Sequence, residues 1–166
     1  LDILRCPNCA GHLELTSFEM AGDETVTGIL HCAERHFFPI HKGIPRMLPN
    51  SLADYWPEVK RSVPTPAPAV VKDLVESLGG ESESFDTRTK ANFSNEWDNH
   101  DIGGRTWTME LADRVKWYFL DSIRISKEDL KGKLLLDAGC GNGSQSVAYT
   151  EFGLEVVAVD LSTGLE

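Results

Sequence analysis

A glycine-rich turn between two apolar runs constrains the fold of this chain more than any other feature of its sequence. The first run, at 134–136, leads into the turn at 137–143, and the second run, at 156–159, follows about one helix length later. Two short apolar runs, separated by a glycine turn and by enough residues for one helix, predict two buried parallel strands with a helix between them. The sequence therefore predicts the first βαβ part of a nucleotide-binding fold, and the chain ends six residues after Asp160.

The spacing of the glycines indicates which nucleotide the turn binds. Gly139, Gly141 and Gly143 let the backbone approach a ligand closely, and the next helix directs free N–H groups toward an anion. They follow G-x-G-x-G, whereas dinucleotide sites use G-x-G-x-x-G, and Asp137 lies two residues before the first glycine. A carboxylate at that position repels a pyrophosphate but suits S-adenosylmethionine (SAM), which carries an ammonium and a sulfonium. Asp160, at the end of the second strand, is placed to accept hydrogen bonds from ribose. A nicotinamide-binding domain is the alternative.

Residues 131–163 resemble the first two motifs of class I SAM-dependent methyltransferases, through the lysine-to-glycine stretch at 133–143 and the second strand at 156–162. The resemblance implies that Asp137, Gly139, Gly141 and Gly143 bind the methionine end of SAM and that Asp160 binds the ribose. Cys140 belongs to the run of small residues in this motif, and we expect it to pack rather than to react.

This resemblance also implies that the SAM-binding domain is truncated after its second strand. The residues that orient the methyl acceptor would follow position 166, so no catalytic residue is predicted. We expect the full-length parent to be a methyltransferase and the 166-residue chain itself to be inactive. The unpaired sheet edge and apolar face would be covered by self-association, by strand exchange or by the chain's own helix at Met109–Ile125.

Two closely spaced pairs of metal-binding side chains lie near the start of the chain. Cys6 and Cys9 form the first pair, and Cys32 and His36 form the second about twenty residues later. This spacing is typical of a structural zinc site, in which two tight knuckles complete a tetrahedron. Three cysteines form no complete set of disulfides among themselves, and four protein ligands leave no open position for a substrate. The metal is therefore predicted to be structural zinc.

The identity of the fourth metal ligand remains open between three histidines. His36 is preferred because C-x3-H is an acceptable knuckle. His31 adjoins Cys32 and should lie on the opposite face of its strand, and His41 follows a proline further along the chain. Gly11 is predicted to supply the turn of the first knuckle, and a hairpin is predicted between the two knuckles.

Residues 1–13 and 38–48 resemble the zinc-ribbon domain of the small activator subunit of tRNA and protein methyltransferases. This domain also occurs fused ahead of methyltransferase domains. The C-x3-H knuckle departs from the usual C-x2-C of that family and is closer to the N-terminal zinc domain of the rRNA guanine methyltransferases. The resemblance implies an alternative function, a zinc-ribbon binding module that docks on a partner methyltransferase or on rRNA or tRNA.

These features together predict an α+β chain in three segments. A zinc ribbon of the β-hairpin type covers 1–50, a proline-rich linker with a short helix covers 51–91, and the N-terminal part of the Rossmann-like domain covers 92–166. Helices are predicted at 70–78 and at Met109–Ile125, with a capping box at 126–129. Three residues ahead of the glycine turn allow two interpretations: Trp97, Arg105 and Trp107. They either line the SAM pocket or the substrate entrance, or the two tryptophans pack in the core and Arg105 is a solvated charge.

The charge of the chain bears on the methyl acceptor. Sixteen basic residues against 26 acidic residues give a net charge of −10, and no basic stripe appears. The electrostatic footprint of a nucleic-acid-binding protein is therefore missing, which favours a small-molecule acceptor. No apolar run approaches a membrane span, and a thiolate-rich zinc site suits a reducing compartment, so we expect a cytoplasmic location.

Overall fold

The computed structural model describes residues 2–48, 50–78 and 116–165, together with 91, 94, 95, 105, 106, 109, 110 and 113. The chain divides into two compact units, Leu1–Phe85 and Asp86–Glu166. The fold class is α+β, with a four-stranded antiparallel sheet in the first unit and a small parallel sheet in the second. Trp97 and Trp107 lie outside the described residues, and only the backbone of Arg105 is described.

The first unit is built on the sheet β1-β2-β3-β4, in which every neighbouring pair is antiparallel. The predicted hairpin between the two cysteine pairs is present, as the antiparallel pair β1–β2. Gly22 has a φ of 61° in its turn, a conformation that glycine adopts without a steric penalty. The strands are β1 (Glu14–Ala21), β2 (Glu24–His31), β3 (Phe37–His41) and β4 (Ile44–Pro45).

The two faces of this sheet bury different sets of side chains. Leu30 pairs with Phe38, and both contribute to a buried cluster that includes Cys6 and Cys32. Ile29 and Phe37 lie on the other face, in a second cluster. Successive side chains of a strand point to opposite faces, so a continuous apolar run such as Phe37–Ile40 is needed where both faces are covered.

The segment that follows the sheet packs onto it. It forms α1 (Ser51–Val59), a 3₁₀ turn (Lys60–Ser62) and α2 (Ala69–Ser77). Val59 of α1 and Leu74 of α2 are fully buried, in the same cluster as Ile29 and Phe37. The region predicted as a linker with a short helix therefore contributes core residues to the first unit, because each helix has one apolar face that the sheet covers.

The second unit contains the strand, glycine turn, helix and strand predicted from the sequence. Two short strands, β5 (Arg105–Thr106) and β6 (Met109–Glu110), pair with each other, and a π-helix (Trp117–Ser122) and α3 (Lys127–Leu130) follow. The remaining elements are β7 (Leu134–Ala138), α4 (Ser144–Thr150) and β8 (Glu155–Val159). Strands β7 and β8 pair in parallel, from Leu134↔Glu155 to Ala138↔Val159.

The helix predicted over Met109–Ile125 is wrong at both ends. Met109 and Glu110 form a strand with Arg105 and Thr106, and the π-helix ends at Ser122. Between Trp117 and Ile123, wide π-turns, in which the Ile123 N–H donates to the carbonyl of Tyr118, take the place of the predicted α-helical turns. Residues 111, 112, 114 and 115 of the predicted helix lie outside the described residues. The predicted cap of the next helix is present, since the Ser126 side chain accepts a hydrogen bond from the Asp129 N–H.

One face of the small parallel sheet is covered, and the other exposes large apolar side chains. Phe119, Tyr149 and Leu154 pack over Leu135 and Val156 on the covered face. Leu134 and Leu136 alternate with Leu135 along β7, and they are 59% and 63% exposed. The π-helix therefore packs on the same side as α4. It does not cover the open face, which was one of the alternatives expected from the sequence.

Candidate metal centre and glycine loop

Four side chains predicted as metal ligands converge at one point of the first unit. The ligand atoms of Cys6, Cys9, Cys32 and His36 all lie within 4.8 Å of one another. The Cys9 and Cys32 sulfurs are 3.7 Å apart, and Nδ1 of His36 is 3.5 Å from the Cys6 sulfur and 3.3 Å from that of Cys32. This cluster can hold a metal ion.

These three distances are close to the edges of a tetrahedral site. Metal–sulfur bonds of about 2.3 Å and metal–nitrogen bonds of about 2.0–2.1 Å place two sulfurs about 3.8 Å apart and a sulfur and a nitrogen about 3.5 Å apart. A disulfide needs sulfurs about 2.05 Å apart, and all three cysteines are free thiols. Three soft sulfurs with one imidazole form a donor set that suits zinc.

Tight backbone turns position the ligands within each knuckle. In the first knuckle the Ala10 N–H donates to the Cys6 carbonyl, and the Cys6 N–H donates to the Gly11 carbonyl. In the second, the Arg35 N–H donates to the carbonyl of Cys32. Ala10 and Arg35 have φ values of 57° and 61°, so each knuckle closes through a left-handed residue.

The role predicted for Gly11 is therefore only partly right. The left-handed residue of the first knuckle is Ala10, one position earlier. Gly11 is favoured for a different reason, because a Cβ at this position would lie 3.2 Å from the sulfur of Cys9. A side chain there would crowd the ligand.

The two other candidate histidines lie away from the cluster. His31 pairs with Phe37 across the β2–β3 ladder, and their ring centroids are 6.3 Å apart. This is the sheet face opposite Leu30 and the cysteines. The ring of His41 lies 5.5 Å from that of Tyr55, a residue of α1. The tertiary arrangement therefore brings together His36 and the three cysteines and leaves the other two rings elsewhere.

The two thiols of the first knuckle have pKa values that move in opposite directions. Burial raises the pKa of Cys6, but hydrogen bonds from the backbone N–H groups of Cys9 and Asn8 and from the neighbouring thiols together lower it below its ordinary value. At Cys9 a backbone hydrogen bond from Gly11 lowers the pKa, whereas the Cys6 and Cys32 sulfurs raise it, with a net increase.

The glycine loop joins β7 to α4 at the carboxyl ends of the two parallel strands. Gly139, Gly141 and Gly143 have φ values of 85°, 60° and 75°, a region that other residues rarely adopt. The N–H groups of Gly139 and Cys140 donate to the carbonyl of Val159, which ties the loop to the end of β8. Ligands of open parallel sheets bind at this edge.

Both predicted carboxylates lie at this edge, and protein groups already bind each of them. Asp160 accepts hydrogen bonds from the N–H groups of Gly141 and Ser162, both at 2.7 Å. Asp137 accepts one from the hydroxyl of Ser146 at 2.6 Å, and Ser146 is buried on α4. An ionised carboxylate has about four lone-pair sites, so each side chain retains capacity for a ligand.

Cys140 is a buried thiol of the glycine loop, and the charges of both carboxylates act on it. Burial, followed by the charges of Asp160 and Asp137, raises the pKa of this thiol to about 11. The thiol is therefore neutral near pH 7. This environment is the opposite of the one that activates a nucleophilic cysteine, in agreement with the predicted packing role.

Sequence patterns missed the supporting residues of both sites. Ser146 was not singled out, although a hydroxyl nine residues after Asp137 faces β7 only once α4 folds back on the sheet. Arg35 was missed as well, since its ion pairs with Asp73 and Glu76 join the second knuckle to α2, which lies about forty residues later in the sequence. No local signal marks contacts of this kind.

Comparison with known proteins adds no assignment. No protein-family model matches the chain, and no curated protein matches its sequence significantly. Within the described ranges, none of the helices has the length and apolar character needed to cross a lipid bilayer.

Proposed function

We propose that this chain is the SAM-binding and zinc-containing part of a methyltransferase that transfers a methyl group to a small-molecule acceptor. The observation that carries the proposal is the glycine loop at the carboxyl edge of β7 and β8. It brings Gly141 and the carboxylates of Asp137 and Asp160 to the same edge. The net charge of −10 supports a small acceptor over a nucleic acid.

The residues of this edge suit SAM by charge. In the proposal, Asp137, oriented by Ser146, accepts hydrogen bonds from the ammonium of the methionine part. Asp160 uses its remaining lone pairs for the ribose hydroxyls, while its bonds to Gly141 and Ser162 fix its position. The sulfonium supplies an activated methyl group, so the contribution of the protein is mainly to orient the cofactor.

The metal centre has a structural role in this proposal, with zinc as the bound ion. Cys6, Cys9, Cys32 and His36 supply four ligands, which leaves no open coordination position for a substrate. Because Cys6 and Cys32 are also core residues, metal binding holds the two knuckles against the sheet. Binding of zinc in small sites contributes about 10–16 kcal/mol, which is in effect folding energy.

Saturation-transfer NMR of the protein with SAM and with NAD tests the cofactor, because the method also detects weak binding. We expect saturation of the SAM ribose and methionine protons and none for NAD. Asp137→Asn keeps the shape of the side chain but removes its charge. It should weaken SAM binding about tenfold to a hundredfold, the range of a hydrogen bond to a charged group.

The matched control is Asp121→Asn, which changes an exposed carboxylate on the π-helix. This variant should bind SAM as the unchanged protein does. Saturation of NAD protons alone, or equal SAM affinity in the Asp137→Asn variant, would contradict the proposal.

A second candidate function is a binding module that docks on a partner methyltransferase or its RNA. It is favoured by the position of the four-ligand cluster, which lies in a compact unit that contains none of the glycine loop. Immobilised protein should then retain an identified methyltransferase subunit or an rRNA or tRNA, and should lose it in the Cys6→Ser variant. Retention of neither would remove this candidate.

A further inference from the structure

We propose that Cys9 is an oxidation site, at which a peroxide converts Cys9 and Cys32 of the metal centre into a disulfide and releases the metal. The proposal concerns the first unit alone and does not depend on methyl transfer. It rests on the unequal exposure of the three cysteines, on the distance between two of their sulfurs and on an open cleft beside them.

Exposure distinguishes Cys9 from the other two thiols. Cys6 is 1% exposed and Cys32 is 4% exposed, both within the core cluster, whereas Cys9 is exposed at the surface. Oxidants reach exposed thiolates first, and burial protects the others. Among the three sulfur ligands, Cys9 is therefore the one that a solute meets.

The cleft beside the metal centre indicates which oxidants reach Cys9. It is lined by the ligands Cys9, Cys32 and His36 and by the side chains of His12, Glu14 and Glu34. The two carboxylates repel anionic oxidants. Hydrogen peroxide is small and uncharged, so this rim does not oppose its entry.

The distance between their sulfurs makes Cys32 a suitable partner for Cys9. The Cys9 and Cys32 sulfurs are 3.7 Å apart. A disulfide bond is about 2.05 Å long, so the two atoms need to approach by only about 1.7 Å. The two knuckles already hold these sulfurs at this separation, so the reaction needs no large rearrangement to begin.

The chemistry balances with peroxide as the only added reagent. A bound metal keeps the thiols deprotonated, so Cys9 reacts as a thiolate. Its sulfur attacks one peroxide oxygen, the O–O bond breaks, and a sulfenic acid and a hydroxide form. The Cys32 thiolate then attacks the Cys9 sulfur, the S–S bond forms, and a second hydroxide leaves. Two thiolates have lost two electrons, and the peroxide has gained them.

Loss of two ligands releases the metal. Only Cys6 and His36 remain after the disulfide forms, and two ligands are too few for a stable tetrahedral site. A thiol reductant regenerates both ligands, so the change is reversible in the presence of metal.

The test treats the zinc-loaded whole chain with hydrogen peroxide. Zinc release is followed with a colorimetric chelator, and disulfides are mapped by mass spectrometry. We expect one zinc released per chain together with a Cys9–Cys32 disulfide, and recovery of both after dithiothreitol and zinc are added. A Cys6–Cys9 disulfide, release of zinc with Cys9 still reduced, or retention of zinc by a chain with oxidised Cys9 would each overturn the proposal.

Two variants sharpen the test. Cys9→His keeps a ligand at the exposed position but removes the reactive sulfur, and zinc release by peroxide should slow at least about tenfold. Cys140→Ser removes the cysteine outside the metal centre and should release zinc as fast as the unchanged protein. Equal release rates in Cys9→His and the unchanged protein would overturn the proposal. If the Cys9→His variant binds no zinc, the disulfides mapped in the unchanged protein still show whether Cys9 and Cys32 are the pair that is oxidised.

Discussion

At the scale of single residues, the metal centre depends on which histidine reaches it. His36 Nδ1 lies 3.3 Å from the Cys32 sulfur, whereas His31 and His41 lie against Phe37 and Tyr55. We expect His36→Ala to weaken zinc retention by more than the 10–100-fold that loss of an outer-shell partner costs. Competition with a chromophoric chelator measures the change.

The controls for this prediction are His31→Ala and His41→Ala, which remove a ring of the same chemistry from the same sheet. Both should retain zinc as the unchanged protein does. Loss of zinc from either control, with His36→Ala unaffected, would show that the ligand assignment is wrong.

Cys140 gives a second prediction at this scale. Burial and the charges of Asp160 and Asp137 raise its pKa to about 11 from an ordinary value of 9.0. A thiol whose pKa is raised by folding contributes stability below the unfolded value, and that stability is lost as the pH rises from about 9 to about 11. Because the pKa of Cys140 is about 11, about one thiol in a thousand is ionised at pH 8. Alkylation of Cys140 should therefore be slow at that pH.

Mass spectrometry of the alkylated protein across pH checks this. In the folded chain, the alkylation rate of Cys140 should rise as the pH approaches 11. In guanidinium, it should rise near the ordinary pKa of a thiol. If Cys140 of the folded chain reacted at pH 8 as quickly as in the unfolded chain, its burial beside the charges of Asp160 and Asp137 would be contradicted.

At the scale of elements, α2 tests whether the segment after the sheet is part of the core. Leu74 is fully buried against the sheet, and its neighbour Val75 is 53% exposed. Leu74→Ala should destabilise the first unit by about 2–5 kcal/mol, the cost of deleting a buried aliphatic side chain. Val75→Ala, a change of similar chemistry one position later, should cost about 0.5 kcal/mol or less.

Hydrogen exchange of strands β2 and β3 measures this stability without assuming that the whole chain unfolds in one step. Equal protection in the two variants would mean that α2 does not contribute to the core of the first unit.

At the scale of the whole molecule, the two compact units should respond differently to metal removal. All four ligands lie in the first unit, where Cys6 and Cys32 are also core residues. A strong chelator should therefore abolish much of the exchange protection of β1, β2 and β3, because metal binding is in effect folding energy. The amides of β7, α4 and β8 should keep their protection.

Hydrogen exchange with mass spectrometry, before and after the chelator, compares the two units in one sample. Zinc is then added back as a control, and the return of exchange protection in the first unit would show that its loss was reversible. Simultaneous loss of protection in β7 and β8 would show that the units are not independent.

The sequence alone determined the local features of this protein, because each depends on residues close together in the chain. Cysteine spacing indicated the knuckles, and alternating and apolar runs indicated the hairpin. Glycines with an acid two residues earlier indicated the loop before α4, with φ values of 60–85°. These signals involve backbone conformation and short spacing, which local residue types specify.

Packing between distant segments separates alternatives whose local sequence patterns are equivalent. His31, His36 and His41 are chemically identical, and the β2–β3 register determines which ring faces the cysteines. Likewise, a proline-rich stretch does not reveal that α1 and α2 bury Val59 and Leu74 on the sheet. In each case the free energy comes from packing between distant segments, which local spacing does not encode.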